Sequence, residues 1–143
     1  MKHIPIIGFF LIITIGCYFN ASITNEESEK EKGEEITEQL YSYIIDKKYD
    51  NSIKSLLSKE LLLNVPINRF DSTLFILNEK LGNYRERELI EWSTKRQKGN
   101  NEFWKCLLQY KVKYDKGESI ELIHLIKEND SIKILSYNLE GEE

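Results

Sequence analysis

Few side chains in this 143-residue chain are of types that do chemistry. The histidines are His3 and His124, and the cysteines are Cys17 and Cys106. A metal centre or a histidine-based mechanism needs several convergent partners. His124 has no neighbouring histidine or cysteine in sequence and reads as an ordinary strand residue. Cys106 lies between Trp104 and Leu108 in an apolar setting, whereas a reactive thiol needs an electropositive, partly open one; an inert, buried cysteine is expected. Glu86, Glu88 and Glu91 alternate with Arg85 and Arg87. An acid pair in a cleft is one reading and a solvated, charge-alternating strand is the preferred one. Phosphate-cradling glycine loops and nucleophile elbows are absent, and nothing implies a metal or a cofactor. Trp92, Trp104, Tyr110, Tyr114 and Tyr137 are candidates to line a cavity for an apolar ligand, with core packing against the helices the preferred reading. On the opposite strand face, Phe103, Lys105, Leu107, Lys111 and Lys113 form a candidate partner surface.

Cys17 stands apart from these. Met1-Lys2-His3 precedes an apolar run from Ile4 to Gly16, the layout of a secretory signal. The run is shorter than the roughly 20 residues that span a bilayer. Ile13-Thr14-Ile15-Gly16-Cys17 resembles a bacterial lipobox, in which the cysteine sulfur takes a diacylglycerol and the chain is cut before it. Small Gly16 suits the cleavage position; Thr14 departs from the usual leucine. The expected organisation is a signal peptide over residues 1–16, a lipidated cysteine and flexible acidic tether over 17–33, and one domain over 34–140. The tether follows from Asn25-Glu26-Glu27-Ser28-Glu29-Lys30-Glu31-Lys32-Gly33-Glu34-Glu35, which offers almost nothing to bury.

Composition is consistent with a single compact domain: hydrophobic residues make up 41% and aromatics 11%. The formal charge of −4 argues against a nucleic-acid footprint. No polybasic run is present to hold anionic lipid, so the lipid on Cys17 is expected to anchor alone. With Cys17 lipidated, Cys106 has no disulfide partner.

The elements that must position these groups fall into two halves. Ile36, Leu40, Tyr43 and Ile44 share one helical stripe, predicting a helix over 34–48. A short helix carries Ile53, Leu56 and Leu57, and Pro66 and Gly82 bracket a further helix over 67–81. Beyond Gly82 the period changes to two. Trp104, Cys106, Leu108, Tyr110, Val112 and Tyr114 alternate with mostly polar residues over 103–114, a long half-buried strand. An earlier strand covers 84–95, and Asp115-Lys116-Gly117 turns the chain into a return strand over 118–127. The last strand covers 131–139. There a phase slip at Ser136 puts Tyr137 and Leu139 on the face of Ile132 and Ile134, which predicts a bulge. Helices followed by an antiparallel meander make an α+β fold with helices on one face of about four strands.

The chain resembles the nuclear transport factor 2-like (cystatin-like) superfamily over residues 34–139, among small exported bacterial domains of unknown function. The resemblance rests on Leu81-Gly82 before Tyr84, on Leu108-Gln109-Tyr110-Lys111-Val112-Lys113-Tyr114-Asp115-Lys116-Gly117, and on Leu125-Ile126-Lys127-Glu128-Asn129-Asp130-Ser131-Ile132-Lys133-Ile134 with Ser136-Tyr137. Ile132 stands where similar proteins usually carry tryptophan. The resemblance implies helices on a curved sheet forming a cone. It says little of function, because members include enzymes, binding modules and accessory parts of membrane assemblies. The expectation is a non-enzymatic envelope lipoprotein, held to a membrane through Cys17, whose domain binds a protein partner or itself. An aromatic-lined cone for a small apolar ligand is the alternative, and an isomerase- or dehydratase-type enzyme the third.

Overall fold

The computed structural model describes residues 21–49 and 51–140. The expected signal peptide and Cys17 lie outside the described residues. Among the described residues nine elements follow one another: β1 (Ala21–Thr24), α1 (Glu27–Ile45), α2 (Asn51–Lys54), α3 (Lys59–Asn64), α4 (Ile67–Leu81), β2 (Tyr84–Lys98), β3 (Phe103–Tyr114), β4 (Glu118–Glu128) and β5 (Ser131–Glu140). The strands form one antiparallel sheet in the order β1-β2-β3-β4-β5, and the helices pack on one face of it. This is the expected α+β architecture, with five strands instead of about four.

Strict alternation makes β3 the centre of the core. Trp104, Cys106, Leu108, Tyr110, Val112 and Tyr114 are all buried on its inner side. They meet Leu40, Tyr41 and Ile44 of α1 and Phe70, Leu74 and Leu77 of α4 within one apolar cluster. α4 has the expected bounds. Pro66 fixes its entry, and Gly82, at φ 80, ends it in a conformation that costs glycine little. In α3, the Ser58 side chain accepts a hydrogen bond from the Leu61 backbone N–H. The Ser58 N–H in turn reaches the Ile134 carbonyl, and Leu57 bridges Ile134, so this loop covers part of the β5 edge.

The expected slip in β5 is present. Leu125 opposes Ile134 while His124 opposes Ser136, leaving Leu135 as the extra residue, and Tyr137 and Leu139 rejoin the inner face. β2 carries two further irregularities, at Arg85 and Ile90. They fall where β2 has no neighbour on its other side among the described residues, since β1 pairs only with residues 95–98. The Arg/Glu alternation there is therefore an edge strand blunted by charge and bulges.

The amino-terminal expectation needs correction. α1 begins at Glu27, seven residues before the expected start, and ends at Ile45. A strand that periodicity did not suggest, β1, precedes it. The stretch 21–33 is thus part of the fold and not a flexible tether. Its composition misleads because what it buries is polar or minimal. Glu29 is 4% exposed, and Gly33 lies so close to β3 that a Cβ there would sit 2.7 Å from Cys106 Sγ.

Candidate functional site

β4 supplies the central group of the interior. Glu121 is 0% exposed although it carries a carboxylate. Its Oε2 accepts hydrogen bonds from Tyr41 Oη at 2.6 Å and Tyr137 Oη at 2.7 Å. Its Oε1 accepts from Tyr114 Oη at 2.6 Å and Ser119 Oγ at 2.7 Å. Four hydroxyl donors from α1, β3, β4 and β5 thus replace the water that a buried carboxylate loses. Burial, then the nearby Glu121 charge, pushes the Tyr41, Tyr114 and Tyr137 hydroxyls well above the usual phenol range. They remain protonated and act as donors. Tyr41 also has the Arg87 guanidinium 4.5 Å above its ring, and Arg87 donates to Tyr84 Oη at 3.0 Å and pairs with Glu38. Each Glu121 oxygen accepts two bonds from its own protein, so the cluster ties α1, β3, β4 and β5 together.

A second buried carboxylate holds the start of α1. Glu29 Oε2 accepts from Trp104 Nε1 at 2.5 Å, and Oε1 from Arg96 and Lys32 at 2.9 Å each. Burial raises the Glu29 pKa, but the bonds from Lys32, Trp104 and Arg96 outweigh it and hold the carboxyl below its ordinary value.

The five aromatic candidates all belong to the inner face of the sheet and pack in or against its apolar cluster. Trp104, Tyr110 and Tyr114 are buried; Trp92 and Tyr137 are half-buried at the margins. Tyr110 bonds Thr37 Oγ1 at 2.8 Å and stands edge-on to Tyr41, and Tyr137 packs against Phe70. Trp104 and Tyr110 border separate shallow grooves, the first with Glu29 and Arg96, the second with Glu38 and Arg87. Cys106 is buried, and its thiol is pushed up to about 12 by burial and by the charges of Glu34 and Glu29. Among the described residues no group of three or more histidine, cysteine or acidic side chains could hold a metal ion.

The outer face of the sheet is different. Phe103, Lys105, Leu107, Lys111 and Lys113 project there, as the alternation of β3 predicts. Lys111 pairs with Glu118 at 3.0 Å and Lys113 with Glu86 at 2.6 Å, so this end of the face neutralises itself. β4 is apolar on this side as well: Ile120, Leu122 and Ile126 are half-buried and point outward, flanked by Leu107 and by Leu135 from the bulge. His124 stands among them, its Nδ1 2.7 Å from Ser136 Oγ. A shallow groove of about 600 Å³ crosses this region over Ser93, Leu107, His124, Ile126 and Leu135. Sequence reading missed Tyr41, Glu29 and Glu121. Only Glu121 left a signal, as a lone acid inside the run Ile120-Glu121-Leu122-Ile123.

Fold and surface together define a two-layer α+β domain with a sealed polar interior and an apolar outer sheet face. Comparison with known proteins found no matching family model, no similar curated protein and no similar solved structure.

Proposed function

We propose that this chain is a non-enzymatic lipoprotein of the bacterial cell envelope, anchored through Cys17, whose domain associates with a second copy of itself through the outer sheet face. The observation that carries this reading is the outward apolar set Ile120, Leu122, Ile126, Leu107 and Leu135, on a sheet whose inner face already supplies the core. A surface patch of this kind, rimmed by polar residues, marks an interaction site. At the β3–β4 turn end of the face, Lys111 and Lys113 are already paired within the chain and present no free charge to a partner. Two identical faces related by a two-fold axis would bury this apolar set against itself.

The test is the mass of the mature protein in mild detergent, by light scattering after gel filtration, for the native chain and Leu122→Lys. Leu122 points away from the core, so the variant should keep the native far-ultraviolet circular dichroism. The native chain is expected at twice the monomer mass and the variant at the monomer mass. A native chain that stays monomeric at about 100 μM, a concentration at which even weak contacts of micromolar Kd are occupied, would refute self-association. A stoichiometric complex with a different protein would place another partner on this face.

A further inference from the structure

On the opposite end of the outer face, Lys95 of β2 and Lys105 of β3 stand directly opposite each other in the register. Like charges in opposed positions destabilise a sheet. Both ammonium groups lie 5.7 Å from the centroid of the Phe103 ring, which compensates in part. No salt bridge among the described residues involves either lysine, in contrast to Lys111 and Lys113 at the other end. The β2–β3 connection holds one acid, Glu102, and Glu128 and Asp130 lie at the end of β4 and in its turn, one strand from Lys105; Glu29 of this end is bonded to Arg96 and Trp104 on the inner face.

The position of this group is set by the corrected start of the fold. Ala21 pairs with Lys98, so the chain enters the sheet beside the basic end. From Cys17 to Ala21 a fully extended chain reaches at most about 14 Å. A lipid on Cys17 would therefore hold the domain against the bilayer by this end, with no long spacer between them.

We propose that Lys95 and Lys105, with Phe103 between them, form a docking surface for the anionic headgroups of the membrane that carries the Cys17 lipid. This rests on the lipoprotein reading above. The basic cluster that the linear sequence lacks is assembled by strand pairing. Headgroup phosphates neutralise the opposed Lys95 and Lys105, and the Phe103 ring sits at interfacial depth. The domain is thereby oriented, with the β3–β4 turn pointing away from the bilayer and the outer face standing roughly upright on it.

The test uses the lipidated mature chain in vesicles of 70% phosphatidylcholine and 30% phosphatidylglycerol, with Asn100→Cys near the basic end or Lys116→Cys at the far end. Labelling by a bulky, membrane-impermeant maleimide is timed for each; native Cys106 stays silent because it is buried. Each lysine at an anionic surface contributes roughly a fivefold factor, so Asn100→Cys should label at least about fivefold more slowly than Lys116→Cys. Adding Lys95→Glu and Lys105→Glu, or raising the salt to about 1 M, where the screening length is about 3 Å, should restore its rate. Equal rates on protein whose intact mass includes the lipid would overturn the docking surface and leave the anchor standing. Equal protection in non-ionic micelles would overturn it in favour of a second copy covering this end. Intact mass without lipid would remove the anchor, and the docking surface with it.

Discussion

Glu121 and Tyr137 should be energetically coupled, and the size of the coupling follows from the hydrogen bonds around the carboxylate. Tyr137→Phe keeps the ring and its packing on Phe70 and removes one donor to Glu121 Oε2. A hydrogen bond to a charged group contributes about 1.5–3 kcal/mol, against about 0.5–1.5 for a neutral one. The single variant should therefore lose about 2 kcal/mol. Glu121→Gln preserves shape but turns one acceptor oxygen into an NH₂ group, facing hydroxyls that are already donors. Its own cost is a difference: four weakened bonds, about 1 kcal/mol each by the same figures, against relief of several kcal/mol of ion desolvation. That sum is too finely balanced to test the cluster. The cycle is cleaner. In the Glu121→Gln background Tyr137→Phe should cost about 1 kcal/mol or less, giving a coupling of at least about 1 kcal/mol. Urea titration followed by the fluorescence of Trp92 and Trp104 measures all four corners. A domain of this size has about 6–18 kcal/mol to lose, so every variant should remain folded. Additivity within about 0.5 kcal/mol would refute the view that the Glu121 carboxyl organises the interior.

Glu29 predicts a pH dependence. Its carboxyl is held below the ordinary value in the fold, so its contribution is fully present above the unfolded value of 4.5 and is lost as pH falls through the folded value. Glu29→Gln should therefore be less stable than the native chain at pH 7, with the gap in Tm narrowing toward pH 3; a gap of constant width would contradict the assignment. Gly33→Ala gains about 1 kcal/mol of helix propensity but drives a methyl to within 2.7 Å of Cys106 Sγ and 3.1 Å of Leu125 Cδ1. Overpacking of this kind costs about 1–3 kcal/mol, so a net loss is expected, relieved by Cys106→Ala in the same chain. If the two losses simply add in denaturant titration, the close approach of α1 to β3 is wrong.

The parts of the fold that were legible are those in which apolar residues keep a period. β3 was readable to the residue because six buried side chains alternate without interruption from Trp104 to Tyr114. α4 was readable because Pro66 and Gly82 bracket a clear stripe, and the β5 bulge because Ile134 and Tyr137 are out of phase. The start of α1 was not legible. Hydrophobic periodicity assigns Glu29 and Thr37 to solvent, yet Glu29 is buried by Arg96 and Trp104, 67 and 75 residues away, and Thr37 by Tyr110. Partners at that separation leave no local trace. The same holds for Glu121, whose donors converge from Tyr41, Tyr114 and Tyr137.

β4 explains why a candidate surface was harder to read than a core. A strand with one solvated face alternates, but Ile120, Leu122 and Ile126 face outward while Ile123 and Leu125 face the helices. From sequence such a run indicates a strand buried on both sides, without saying by what. The helices cover only one side, so the stability of the fold does not require apolar residues on the other. Polar replacements there should cost the domain little, and Leu122→Lys separates the two explanations for its apolar character. If the stripe served folding, the variant would unfold more easily; if it serves association, the variant keeps its stability and loses only its partner.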